Sequence, residues 1–303
     1  LAIGLAASLA RRSLRRASAE TRHAAALAGL LTLAASPFVA FAVVYEPTPA
    51  PVAPPNTTPS RTGVSPQAEV DFASQPASFH PAVPPRSIKS SRWFDPWVNV
   101  LPGVWLAGTL LILAWTAVGL VGVERLRRAA VPLREGLVAE RCRELARSLG
   151  IVREVGLAVC DRVAAPLLIG VIRPTILLPA AALTGWAPDQ IEMALLHELA
   201  HLRRRDNLIC LFQKLVEALL FFHPTTWWLS AWLRLERETC CDLRVVARTG
   251  RPRAYAELLA TLAGAGRATP PCPAMTERPI ATRIRRILFK EDRPMTLKPT
   301  APE

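Results

Sequence analysis

Charge is missing from two long stretches of the chain, Ala24 to Tyr45 and Val98 to Val123. Each is long enough to cross about 30 Å of hydrocarbon as a helix, and two such runs argue against the buried core helices of a soluble domain. Acidic residues are scarce, 24 against 37 basic ones, for a net charge of +13. A basic excess of this size can serve nucleic acid, but there is no Gly-rich phosphate loop and no basic patch interleaved with aromatics. No direct nucleic-acid binding is expected. Cysteine is sparse: Cys142, Cys160, Cys210, Cys240, Cys241 and Cys272 are the six, and no C-x-x-C pair occurs. That excludes the common thiolate zinc sites. All six follow the second uncharged run, so they are expected on a reducing side, as small packing residues rather than disulfides.

What is present fits a membrane protein. Hydrophobic residues make up 51% of the chain, and its mean hydropathy is positive. Leu1 to Ala10 reads as the tail of a truncated first span, because the basic start and cleavage site of a signal peptide are missing. Residues 11–23 form a basic loop with Arg11, Arg12, Arg15, Arg16 and Arg22. Residues 24–45 are then a transmembrane helix interrupted by Pro37, and 98–123 another, with Trp93, Phe94 and Trp97 as an aromatic anchor. Arg125, Arg127 and Arg128 follow it. The positive-inside rule puts both basic clusters in the cytoplasm and residues 46–92 outside. That external segment holds eleven of the 28 prolines and is expected to be a disordered loop. The expected localisation is the bacterial cytoplasmic (inner) membrane, multi-pass and in contact with lipid.

Chemistry enters at His197-Glu-Leu-Ala-His201. The surrounding run has no Gly or Pro, so it can be helical, and residues four apart share a face. Both imidazoles can then hold one ion, with Glu198 placed to act as general base on water. A catalytic zinc site needs a third protein ligand and an open fourth position. Glu238 can supply the ligand from a second helical stretch, and Asp242, four residues on, can accept the free ring N–H of a ligand histidine.

Three further motifs accompany the pair: Arg203-Arg-Arg-Asp206, Phe222-His-Pro-Thr-Thr-Trp227 and Glu236-Arg-Glu-Thr-Cys-Cys-Asp242. Together with Ala165 to Pro179, they make residues 100–290 resemble the BlaR/MecR-type integral-membrane gluzincin peptidases. The resemblance implies zinc ligands His197, His201 and Glu238, one Zn2+ per chain, Glu198 as catalytic base, and Asp242 orienting a ligand histidine. It implies an α+β zincin-like (gluzincin) domain joined to an α-helical transmembrane region, mostly helical with a small sheet. No S-x-x-K motif of a penicillin-binding sensor is present, so β-lactam sensing does not carry over.

Residues 124–290 are read as a cytoplasmic zinc metallopeptidase domain and 291–303 as a polar tail. A helix is expected over Leu133 to Leu149, stopped by Gly150. A strand is expected around Leu157, and a hairpin of Leu167 to Ile172 with Thr175 to Leu178. The helix bearing the histidines should start near Pro188, with Asp189 and Glu192 at its positive end. Asn207 to Leu233 is apolar enough for another span, but a single crossing would put His201 and Glu238 on opposite membrane faces. The segment is therefore read as a hairpin broken near His223 and Pro224, resting on the membrane surface through Phe221, Phe222, Trp227 and Trp228. His223 is read as a structural residue at that break. Shorter helices are expected over Ala254 to Leu262 and Ile280 to Phe289.

The function expected is a membrane-embedded zinc-dependent endopeptidase, a signal-transducing antirepressor protease cleaving a cytoplasmic protein such as a transcriptional repressor. Its substrate could pair with a sheet edge such as Thr175 to Leu178. Two alternatives stay open, a signalling receptor with a non-catalytic structural zinc and a membrane quality-control protease.

Overall fold

The computed structural model describes residues 2–44, 95–265 and 277–289. The expected external loop at 46–92, the tail at 291–303 and Cys272 lie outside the described residues. Contacts group the chain into two units, Leu1–Pro37 with Trp105–Glu303, and Phe38–Val104. In the smaller unit the described parts are the end of α2 and the start of α3.

The protein is mostly helical with one small sheet. Helix α1 (Ala2–Ser13) runs through a short 3-10 turn into α2 (Ala19–Val44), and α3 spans Asp95–Ala129. Helices α2 and α3 are long and apolar enough to cross a membrane, and only 17% and 6% of their most apolar windows are buried. A core helix of a soluble domain would show the reverse. Pro37 and Pro102 sit inside these two helices. Helix α3 starts before Val98 and continues past Val123, carrying Arg125, Arg127 and Arg128 on its last turns.

Strands β1 (Val131–Pro132), β2 (Gly156–Val159), β3 (Leu167–Ile169) and β4 (Thr175–Leu178) form a sheet in the order β1-β2-β4-β3. β3 and β4 are the expected antiparallel hairpin, with Leu168 opposite Ile176. β4 also pairs in parallel with β2, Ala158 opposite Leu177. This overturns the expectation that Thr175 to Leu178 is an open edge: Ile176, Leu177 and Leu178 are fully buried in mid-sheet, and the open edge beside the histidine helix is β3. The β3–β4 turn needs Gly170, whose φ is +82° and whose missing Cβ would lie 2.5 Å from the Arg173 carbonyl oxygen.

Helix α4 (Leu137–Ser148) turns Ala139, Cys142, Leu145 and Ala146 inward, at the three-and-four spacing of an amphipathic helix. It packs with α6 (Pro188–Arg203), the second half of α8 (Pro224–Thr249), α9 (Pro252–Ala265) and α10 (Glu277–Leu288) in one core around Leu195, Leu199, Val245 and Leu258. A short α5 (Ala180–Gly185) leads into α6.

The segment after α6 is a helical hairpin. Helix α7 (Asp206–Leu219) leads to a turn at His223, and α8 returns. His223 caps α8, its Nδ1 accepting from the Thr225 N–H at 3.2 Å, with Pro224 in the first helical position. Helix α8 ends at Gly250 in a left-handed cap. The hairpin lies alongside the apolar helices, while Phe222 and Trp227 at its tip stay exposed. Leu229, Trp232 and Leu233 pack with Ala26, Leu30 and Leu33 of α2, and Trp105 of α3 donates to the Leu219 carbonyl.

Candidate metal centre

His197 and His201 stand one turn apart on α6. The helix starts cleanly because Pro188 fixes the first φ and the Gln190 side chain accepts from the Ala187 N–H at 3.0 Å. On the facing stretch of α8, Glu238 points at the same spot. The two Nε2 atoms are 3.2 Å apart, and Glu238 Oε2 lies 3.5 Å from that of His197 and 3.8 Å from that of His201. Ligands about 2.05 Å from a tetrahedral ion are separated by about 3.3 Å. The spacing of the three donors therefore suits a zinc-sized cation without rearrangement.

Hydrogen bonding at the far side of each ring fits the same reading. His201 Nδ1 is 2.7 Å from Asp206 Oδ2. His197 Nδ1 is 2.9 Å from the Tyr255 hydroxyl, which itself lies 2.8 Å from Asp242 Oδ1. Asp206 can only accept, and a Tyr255 hydroxyl that donates to Asp242 is left to accept from His197. Both Nδ1 atoms then carry hydrogen, and both Nε2 atoms present lone pairs to each other. Such an arrangement calls for a positive charge between them.

The local electrostatics favour positive charge at this spot, as a proton on a ring or as a bound cation. Burial alone would depress the His201 imidazolium, but Cys241, Glu238 and Asp206 around it outweigh that and hold its pKa well above the usual histidine value. Burial pushes the Glu238 carboxyl up, yet His201, His197 and Arg283 bring it well below the ordinary range, so the carboxylate stays ionised.

Glu198 is buried on the side of α6 facing the sheet, and its Oε2 accepts from the Leu168 N–H of β3 at 2.8 Å. It is not a solvated surface carboxylate. Burial raises its pKa, partly opposed by the two imidazoles. With a cation bound at the histidines, a carboxylate held this way beside an open strand edge could take a proton from water there.

Asp242 is placed differently from the expectation of a direct histidine partner. Its Oδ1 is 3.4 Å from His197 Nδ1, and the Tyr255 hydroxyl takes the shorter contacts to both. The carboxylate that directly holds a ring is Asp206, on the first turn of α7 just after the left-handed Arg205 (φ 58°). Sequence reasoning missed Tyr255 and Arg283, which come from α9 and α10, and gave Asp206 no role. Its position five residues after His201, beyond an arginine cluster, was the available signal. Cys241 is more than packing: its Sγ lies 3.3 Å from His201 Nδ1, and with Asp206 it forms a second buried group around that ring.

A helix-borne histidine pair, a buried glutamate and a carboxylate from a second helix suit the class of metal-dependent peptidases. The chain belongs to a family of that kind, described as BlaR1 peptidase M56, which matches residues 1–287. It is also similar to regulatory protein BlaR1 of Bacillus licheniformis, with 27% identity over 157 residues. That region is 52% of this chain but 26% of the relative, so the chain spans only a part of that protein's length.

Proposed function

We propose that the chain is a membrane-embedded zinc endopeptidase of gluzincin type that acts in signalling by cleaving a cytoplasmic protein such as a transcriptional repressor. The observation that carries the reading is the pair of facing Nε2 atoms 3.2 Å apart, both backed by acceptors and closed by Glu238. His197, His201 and Glu238 would hold one Zn2+, which when bound supplies Lewis-acid activation of water and of the scissile carbonyl. Glu198, anchored on Leu168, accepts the proton of the attacking water and returns it to the leaving amine. A substrate strand extends the sheet at β3, next to Glu198, rather than at β4.

The proposed setting is a bacterial inner membrane, with α2 and α3 as spans and the metal centre on the cytoplasmic side. The basic ends of both helices sit on the side of the centre: Arg22 pairs with Glu236 on α8 at 2.8 Å, and Val123 and Leu126 pack against the sheet. The positive-inside rule supports a cytoplasmic centre.

Glu198→Gln is the direct test. It preserves size and removes the base, so zinc content should stay near wild type while cleavage falls at least about a hundredfold. Glu238→Gln should lose zinc and activity together. Wild-type cleavage by the Glu198→Gln protein rules out Glu198 as the base, and a zinc-loaded wild type that cuts nothing sinks the peptidase reading and leaves a structural ion.

A further inference from the structure

Helix α10 reaches α8 through two arginines. Arg286 donates to Thr239 Oγ1 at 2.7 Å and to Glu236 Oε1 at 3.1 Å, and Ile287 and Ile284 seat the helix on the core. Buried Ile287 and the packing of Ile284 anchor α10 independently of Arg286. Arg283, one turn earlier, does more. Its Nε and Nη2 grip Asp242 Oδ2 and Oδ1 at 2.8 and 2.7 Å, the fork geometry that only a guanidinium offers. Its remaining Nη1 lies 3.3 Å from Glu238 Oε2. That is the same oxygen that faces His197 and His201. The Arg283 side chain is only 11% exposed, so the guanidinium is spent on these two carboxylates rather than on solvent.

Two of the three candidate ligands thus depend on one group. Glu238 is held directly, with Oε2 turned toward the histidines while Oε1 lies near Arg237 at 3.5 Å. His197 is held through Asp242 and the Tyr255 hydroxyl, which fix its tautomer and ring orientation. We propose that Arg283 is a positioning residue of the metal centre, presenting a single Glu238 oxygen and aligning His197 through Asp242 and Tyr255. The proposal rests on the zinc reading above. It makes α10 part of the site, although α10 carries no ligand.

The test uses the full chain in detergent, with zinc affinity measured by competition against a chromophoric chelator and site geometry by the visible spectrum of the cobalt-substituted protein. Arg283→Gln should weaken zinc by about 10- to 100-fold, change the cobalt bands, and lower kcat at saturating zinc with little change in KM. Arg283→Lys keeps the charge but cannot bridge both carboxylates, so it should fall between wild type and Arg283→Gln. Arg286→Gln removes docking contacts without touching the pair and should bind zinc like wild type. Unchanged affinity and cobalt spectrum in Arg283→Gln overturns the proposal, as does an equal loss in Arg286→Gln. If Arg283→Gln does not fold, Arg283→Lys is decisive, and wild-type affinity there overturns it too. A wild-type chain that holds no zinc overturns this proposal together with the functional reading, whereas one that holds zinc but cuts nothing sinks only the peptidase.

Discussion

His201 has two working faces. Nε2 looks toward His197 and Glu238, while Nδ1 is engaged by Asp206 with Cys241 behind it. Asp206→Asn should therefore weaken zinc by roughly 10- to 100-fold without removing a ligand, since an amide can present its NH2 to the ring and no longer favours the same tautomer. His201→Ala removes a ligand outright and should leave the purified protein nearly zinc-free. Metal analysis of both variants checks the ranking, and full occupancy in His201→Ala contradicts the ligand set. At this scale the sequence was readable where one helix supplied the pattern. Four-residue spacing brings His197 with His201, and Glu238 with Asp242, onto shared faces. Tyr255 and Arg283 were not readable, because they meet the site only through packing of α9 and α10, and a lone Tyr or an Arg in a basic helix has no distinguishing neighbour in sequence.

Among the elements, the β3–β4 turn links the open β3 edge to the helical hairpin. Gly170 adopts a φ of +82°, and its carbonyl accepts from Asn207 Nδ2 at 2.6 Å. Gly170→Ala would drive a methyl group onto the Arg173 carbonyl in a conformation that costs an L-residue about 1–3 kcal/mol. Thermal unfolding of the purified variant should show a melting temperature several degrees lower, and an unchanged one contradicts the strain. Local signals located most elements here: Pro188 opened α6, Pro224 with His223 broke the hairpin, and Gly250 closed α8. The strand order was beyond them. Alternation marks Leu157 and the 167–178 hairpin as strands, but parallel pairing of β2 with β4 is decided by how the helices cover the sheet. That pairing is what moved the open edge from β4 to β3. The two-residue β1 is too short to leave a pattern at all.

For the whole molecule, the proposed orientation predicts sidedness. In a cysteine-free background, Ser74→Cys should react with an impermeant thiol reagent in intact cells, and Arg127→Cys only after lysis. Equal labelling of the two in intact cells places the centre outside and removes access to a cytoplasmic substrate. Composition alone made α2 and α3 legible as helices apolar enough to cross a membrane, but the company they keep was not: α2 lies against α8, and its Arg22 shares Glu236 with Arg286. The dispersal of the site along the chain also has a consequence in time. His197 and His201 leave the ribosome first, Glu238 follows, and Arg283 comes last. At about 5–20 residues per second, roughly 4 to 16 s of synthesis separate His201 from Arg283. Throughout that interval the growing polypeptide carries two imidazoles without their full surroundings. In the proposed site, a nascent chain therefore cannot complete the surroundings of its two histidines until α10 has been synthesised.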